Sequence, residues 1–128
     1  MGGGGGGSGN NNNIKIPKNA TVADVVGGNP SYDGIPIRAI QDEVDPKFVE
    51  EYANDMRKGA FDWSNMDDQI ELIRDNKGYV LGQGHHRFIA AQLAGVDIPR
   101  WAIVFEDVRP TTWSKTFEWT QVRWTGLK

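Results

Sequence analysis

Cysteine is absent from the 128-residue chain, and histidine occurs only twice. Without thiols the protein forms no disulfide and uses no thiolate as a nucleophile or a metal ligand. Any bound metal would have to be held by histidine, carboxylate or other oxygen ligands. Long apolar runs are missing too, and no stretch approaches the ~18 residues of a membrane span. The sequence therefore predicts a protein without a membrane-spanning segment.

Basic charge is also scarce. The formal net charge is −3, and residues 41–75 alone carry 11 acidic and 4 basic side chains. Proteins that coat nucleic acid regardless of sequence are normally strongly basic, so this class is excluded. The remainder of the chain has an excess of basic side chains, which is compatible with a local basic face. No ordinary secretion signal is recognisable.

The length and the 38% hydrophobic content fit one compact domain. The first thirteen residues read MGGGGGGSGNNNN, a low-complexity segment that has no side chains with which to build a core. We therefore predict a flexible linker over residues 1–13 and a single folded domain over residues 14–128.

Apolar spacing predicts an α+β fold, a small mixed β-sheet with helices packed on it. Capping residues mark the helix ends, because Asp45-Pro46 is a typical start and Gly59 a typical end. The predicted apolar face of that helix consists of Phe48, Val49, Tyr52, Ala53 and Met56. The other predicted elements are a strand over 35–40, a hairpin over 69–82, a helix over about 86–94 closed by Gly95, a strand over 98–108, and a helix that begins near Thr112 and docks on the sheet.

Both histidines lie at one glycine-rich corner between a predicted strand and a predicted helix. The corner consists of Gly82, Gln83, Gly84, His85, His86 and Arg87. Glycine permits close backbone approach, and the start of a helix attracts anions through its N–H groups and its dipole. An arginine in the first turn adds a charged donor, and a histidine can donate to phosphate, transfer a proton or bind a metal. The alternative is a plain strand–turn–helix with exposed polar side chains.

The chain resembles the ParB/sulfiredoxin-like superfamily, including its ParB-like nuclease branch. The resemblance spans about residues 34–104. It rests on the order of "IPIRAI", "DPKFVEEYANDMRKG" and "QIELIRDNKGYVLGQGHHRFIAAQLAGVDIPRWAIV". Relatives share a strand with Ile-Pro, a helix, a hairpin and a loop rich in glycine, histidine and arginine that opens an alanine-rich helix. The resemblance implies that this loop holds nucleotide phosphates or acts on phosphodiesters, here through Gly82, Gly84, His85, His86 and Arg87.

The chain departs from the family pattern in three respects. Gln83 stands where many relatives carry aspartate, and no helix-turn-helix for reading DNA is recognisable after the domain. A role in chromosome partition is therefore not implied. Sulfiredoxin activity is excluded because it needs a cysteine.

Two further groups are candidates for a supporting role. Arg38, Asp42 and Glu43 follow or end the first long strand, where the resemblance implies acidic residues that help catalysis; the alternative is that both acids are solvated loop residues. The other group is the aromatic and basic tail, comprising Trp113, Lys115, Phe117, Trp119, Arg123 and Trp124. Such side chains can stack on bases, but tryptophans this dense more often pack a small core. We expect at least two of them in the core.

The sequence and the resemblance together predict a ParB-like DNase, the toxic domain of a secreted or contact-dependent bacterial effector. As a toxin domain it would act in the target-cell cytoplasm and be neutralised by an immunity protein; otherwise a cytoplasmic location is expected. His86 is the predicted general acid or base, His85 assists it, and a divalent ion such as Mg²⁺ or Mn²⁺ is an expected cofactor. Two alternatives stay open, a nucleotide hydrolase or kinase with the same phosphate loop, and a nucleotide- or DNA-binding adaptor without turnover.

Overall fold

The computed structural model of this protein describes residues 13–64, 69–107 and 115–126. Most of the predicted linker over 1–13 lies outside these ranges, as do Thr112 and Trp113. The described residues form an α+β fold, which confirms the predicted class. Among them, no helix is long and apolar enough to span a membrane.

A five-stranded mixed sheet forms the centre of the fold. Its strands are β1 (Ser31–Tyr32), β2 (Ile35–Ala39), β4 (Ile70–Asp75), β5 (Gly78–Gln83) and β6 (Ile103–Asp107), and a separate parallel pair joins β3 (Glu43–Val44) to β7 (Arg123–Trp124). The spatial order is β1-β2-β5-β4-β6. The predicted hairpin is confirmed as the antiparallel pair β4/β5, whereas β2/β5 and β4/β6 are parallel.

Within the described ranges, three α-helices accompany the sheet, and capping residues set their ends. They are α1 (Val22–Val26), α2 (Pro46–Lys58) and α3 (His85–Ala94). The Asp45 side chain accepts a hydrogen bond from the Lys47 N–H at 2.8 Å, and Gly59 closes α2 in the left-handed conformation. These ends and the closure of α3 by Gly95 confirm the predictions. Helix α3 begins one residue earlier than predicted, at His85.

The core lies between one face of the sheet and helices α2 and α3. The sheet contributes Ile37, Ala39, Ile70, Leu72 and Leu81, and α2 contributes Val49, Ala53 and Met56. The predicted apolar face of α2 is wrong at Phe48, which is 46% exposed. Its ring contacts those of Tyr52 and His86 at the start of the helix instead of the sheet.

The C-terminal segment is not the helix that the aromatic spacing predicts. Residues 115–126 contain no α-helix. Phe117 both donates a main-chain hydrogen bond to Ala39 and accepts one from it, and a 3-10 turn over Trp119–Gln121 leads into β7. Phe117 forms two main-chain hydrogen bonds with Ala39, of 2.9 and 2.7 Å, and these hold its backbone in an extended conformation beside β2. The helical spacing of the nearby aromatic residues does not outweigh these bonds. Trp119 lies in the core as expected, whereas Trp124 is only partly buried and packs against the core.

Candidate functional site

The glycine corner is the junction between β5 and α3. Gly84 precedes the helix with a φ of 86°, and a Cβ at this position would lie 2.9 Å from the Cα of Ile70. Both the left-handed backbone and the contact with β4 require glycine here. The Phe88 N–H then donates to the Gly84 carbonyl at 2.8 Å and begins the helical hydrogen bonding. The positive end of the ten-residue helix α3 therefore opens at this corner.

A pocket of about 310 Å³ lies at this junction, here called the corner pocket. It is lined by Gln41, Tyr52, Gly82, Gln83, Gly84, His85, His86 and Arg87. All six residues of the predicted corner thus line the pocket. Because β2 and β5 are parallel neighbours, their carboxyl ends meet at the same edge, where α/β folds commonly bind ligands.

His85 is a buried, neutral imidazole in the wall of the pocket. The residue is only 2% exposed, and its Nε2 accepts a hydrogen bond from the Ile40 N–H at 3.2 Å. The proton of the neutral ring therefore resides on Nδ1. Within the described part of the chain, this buried Nδ1 has no hydrogen-bond partner. Burial, with a contribution from the charge of His86, lowers the pKa of His85 to about 4.

His86 faces two cavities and is half-buried. Its Nε2 accepts a hydrogen bond from the Asp45 N–H at 2.9 Å, and the Phe48 ring meets its own ring edge-on at a centroid distance of 5.6 Å. Both histidines therefore bind main-chain N–H groups of residues 40–45 through Nε2. This arrangement joins the start of α3 to the segment between β2 and α2.

Arg87 brings a positive charge to the pocket although the residue is only 4% exposed. Its guanidinium lies over the Phe61 ring, 4.8 Å from the centroid. A guanidinium on an aromatic face keeps its charge while its planar surface is covered. Helix end, imidazole and guanidinium therefore converge on one small cavity.

The structure does not bring Arg38 to this cavity. Arg38 is buried on the opposite face of β2 from Ile37, where it binds the Asp75 carboxylate at 2.5 Å and the Thr116 hydroxyl at 3.0 Å. Burial raises the pKa of Asp75, but the hydrogen bond from Arg38 and main-chain N–H donors outweigh this and leave it lowered. Arg38 thus forms a buried ion pair, and the corner pocket does not include it.

Asp42 and Glu43 line a neighbouring groove of about 490 Å³. This groove shares Gln41 and His86 with the corner pocket, and both acids are exposed. Over residues 13–64, 69–107 and 115–126, no three histidine or carboxylate side chains converge as a metal-binding group. Asp42 and Glu43 therefore lie beside the pocket in the neighbouring groove, and they are not part of a metal-binding group among the described residues.

Three residues near the corner were not predicted from the sequence. Gln41 follows β2, which is parallel to β5. Prediction of this strand pairing would have located Gln41 at the same edge of the sheet as the corner. Tyr52 was assigned to the core from helical spacing alone. Glu71 packs its carboxylate against Gly82 on the other side of the sheet. Burial and then the adjacent Glu106 raise the pKa of Glu71.

Comparison of the chain with models of protein families, with curated proteins and with solved structures found no match.

Proposed function

We propose that the corner pocket binds a phosphate group of DNA or of a nucleotide, and that the domain hydrolyses phosphodiester bonds as a ParB-like nuclease. The observation that carries the proposal is the Nδ1–H of His85, a buried donor without an acceptor in the described structure. A buried donor left unsatisfied costs about 1–3 kcal/mol. His85 lines the pocket, so an anionic oxygen that reaches this atom would satisfy it, at the positive end of α3 and beside Arg87.

Each residue of the pocket has a distinct role in this proposal. His85 donates from Nδ1 at neutral pH because its low pKa keeps the ring neutral and Ile40 fixes the tautomer. Arg87 neutralises the phosphate charge. His86 is the group for proton transfer, as the half-buried imidazole that lines both the pocket and the neighbouring groove.

Proton transfer to His86 is coupled to movement of the main chain. A protonated Nε2 can no longer accept the hydrogen bond that the Asp45 N–H now donates to it. Acting as a base at this atom, His86 would have to release Asp45 and the start of α2. The geometry therefore supports phosphate binding more directly than it supports turnover.

The same observation favours a second candidate, a phosphate-binding adaptor without catalysis. In the structure, the Nε2 atoms of both His85 and His86 accept main-chain hydrogen bonds, as histidines that hold a loop in place do. Binding with no cleavage would then be the whole activity of the domain.

The wider context is part of the proposal and is supported by the resemblance and the glycine-rich segment. It comprises a secreted bacterial toxin, a DNA target in another cell and a cognate immunity protein. A divalent ion such as Mg²⁺ or Mn²⁺ belongs to it too. Asp42 and Glu43, which line the neighbouring groove, are candidate carboxylates for such an ion, together with oxygens of a bound phosphate.

Incubation of plasmid DNA and of single-stranded DNA with the purified domain separates the two candidates. The nuclease predicts cleavage that His86→Ala abolishes, with a rate loss of roughly 10²–10⁴. Reactions with Mg²⁺, with Mn²⁺ and with EDTA test the ion. Gln92→Ala, an exposed change on the same helix, is the matched control and should cleave normally.

Binding is measured apart from cleavage by titrating inorganic pyrophosphate and labelled DNA. His85→Phe removes the Nδ1 donor, and His85→Gln retains an N–H donor if the larger change disturbs folding. If the wild type binds these ligands but does not cleave DNA under any ion condition, the adaptor is the supported function and the nuclease is excluded. Wild-type protein that binds neither pyrophosphate nor DNA would overturn the proposed function.

A further inference from the structure

Four aromatic side chains form a continuous row beside the corner pocket. The aromatic row consists of Phe48, Tyr52, Phe61 and Trp63. Phe48 stacks on Tyr52 at 6.2 Å between centroids, Tyr52 meets Phe61 edge-on at 5.5 Å, and Phe61 meets Trp63 at 4.7 Å. All four remain partly or largely exposed to solvent.

The row is in direct contact with the residues of the pocket. Tyr52 lines the pocket itself, and Phe48 lies 5.6 Å from the His86 ring. The Arg87 guanidinium covers the Phe61 ring at 4.8 Å. Pocket and row therefore form one continuous surface, with the cationic groups at their junction.

Packing of the fold does not explain the exposure of Phe48. Helix α2 is attached through Val49, Ala53 and Met56, which are buried, whereas 46% of the Phe48 surface stays accessible. A phenylalanine ring of this exposure retains much of its apolar surface in water. Its position next to His86 indicates a ring available to a flat ligand that also enters the pocket.

We propose that an unpaired nucleobase stacks on Phe48 and Tyr52 while its phosphate lies in the corner pocket, a step that rests on the proposed function. Every base has an aromatic face, so the row would accept bases of any sequence. A base inside a duplex has both faces covered by its neighbours. The preferred ligand is therefore a mononucleotide or an unpaired stretch of nucleic acid, and not duplex DNA.

Charge around the row limits how much of a strand it holds. Glu51 and Asp62 are exposed close to the row in sequence, and residues 41–75 carry 11 acidic and 4 basic side chains. A groove that follows a long phosphate backbone needs basic walls. The site accordingly takes one base and one phosphate group, with neighbouring nucleotides held weakly.

Fluorescence anisotropy with single-stranded, duplex and abasic oligonucleotides of one length tests the inference, with a mononucleotide as competitor and pyrophosphate titrated separately. Wild type should bind the single strand more tightly than the duplex or the abasic strand. Phe48→Ala should weaken single-strand binding roughly 5- to 150-fold, the range for loss of base–aromatic stacking. Pyrophosphate binding should be unchanged.

Three control proteins sharpen the result. Phe48→Trp should retain binding and Phe48→Leu should lose it, because leucine keeps apolar bulk without a π face. Trp101→Ala removes a 66% exposed aromatic that does not line the pocket, and should bind as wild type. If a mononucleotide competes with the oligonucleotide at a comparable total concentration of nucleotides, a free nucleotide is a sufficient ligand. If only an unlabelled oligonucleotide competes, the ligand is a single strand.

Specific outcomes overturn the inference. Equal binding of abasic and intact strands, or unchanged affinity in Phe48→Ala while pyrophosphate still binds, would remove the base site and leave the phosphate pocket standing. Wild-type affinity in Phe48→Leu would show apolar contact without stacking, as in a protein-docking surface. Failure of both pyrophosphate and oligonucleotide to bind wild type would overturn the inference together with the proposed function.

Discussion

His85 and His86 are adjacent in sequence but stand in different environments. His85 is buried and neutral, with its Nε2 on the Ile40 N–H; His86 is half-buried between two cavities, with its Nε2 on the Asp45 N–H. Each ring therefore fixes one point of the segment over 40–45. The two side chains hold that segment against the start of α3, and this sets the position of Gln41 in the pocket wall.

The burial of His85 predicts a specific pH dependence of stability. In the folded protein the pKa of His85 is about 4, against an ordinary value of 6.5. Between these values the unfolded chain binds more protons than the folded one, so stability falls as pH falls and is fully present above about 6.5. The loss reaches about 3 kcal/mol from this group. Urea unfolding at pH 7 and at pH 4.5 measures it.

The comparison that isolates His85 uses the non-titrating variant His85→Gln. Carboxylates contribute to the acid slope in both proteins, and their share cancels in the difference. The variant should show a smaller loss of unfolding free energy between pH 7 and pH 4.5. An identical slope in wild type and variant would show that His85 titrates normally in the folded state.

At the level of the elements, the site depends on how tightly α3 is joined to the sheet. The turn from β5 into α3 occupies the single residue Gly84, which lies against the backbone of β4 at Ile70. Parallel pairing of β2 with β5 brings the segment after Ala39 to the same edge. Three strands thus determine the geometry of one helix end.

Gly84→Ala should destabilise the domain more than Gly95→Ala. Both glycines have a positive φ, but a Cβ at position 84 meets the Ile70 backbone at 2.9 Å, whereas nothing lies within 4 Å at position 95. Left-handed strain costs alanine about 1–2 kcal/mol at each site, and the backbone contact adds to it only at Gly84. Thermal or urea unfolding of both variants gives the difference. Equal losses would mean that β4 yields to the added methyl group.

The elements that could be predicted from the sequence are those with local signals. Asp45-Pro46, Gly59 and Gly95 act through capping bonds within a few residues, so the ends of α2 and the end of α3 were correct. The six corner residues share the pocket because they are contiguous. The alternation of side chains along β2 also predicts where Arg38 lies. It points to the face of the sheet opposite to Ile37 and Ala39, and there it forms an ion pair with Asp75.

The elements that could not be predicted depend on long-range contacts. The bonds between Phe117 and Ala39 join residues that are far apart in the chain, and no periodicity near Phe117 indicates them. Phe48 has the spacing of a core residue, but it lies at the first turn of α2, beside a cavity. The sequence also contains no sign that both imidazoles accept main-chain hydrogen bonds.

On the scale of the whole molecule, the first described residues attach to α2, and the last described segment attaches to the region before α1. Residues 14–16 run along α2, where the Ile14 N–H donates to the Asn54 side chain at 2.6 Å and the Ile16 N–H to Glu50 at 2.8 Å. Near the other end, the Trp124 indole donates to the Ala20 carbonyl at 2.9 Å. The domain is therefore closed by contacts between its first and last described segments.

Deletion of residues 1–13 should leave the free energy of unfolding unchanged within error. Deletion of residues 1–17 should lower it by roughly 2–4 kcal/mol, because Ile14 and Ile16 lose partial burial and two hydrogen bonds. Asn54→Ala in the full chain removes the bonds to Ile14 together with the one that Asn54 donates to the Glu50 carbonyl, and should fall between the two. A large loss on removing residues 1–13 alone would show that this segment packs against the domain.

The attachment of residues 115–126 has a consequence for the order of events during synthesis. Phe117 and Trp119 bind the end of β2 at Ala39 and Ile37, and Arg123 binds the Asp42 carbonyl within the segment that both histidines hold. While these residues are still inside the ribosomal tunnel, the nascent chain has Gly84 and both histidines but lacks the strand that supports residues 42–44. The parallel pair β3/β7 can therefore form only after residues 123 and 124 have left the tunnel, so the segment that both histidines hold gains its last support after the rest of the domain has emerged.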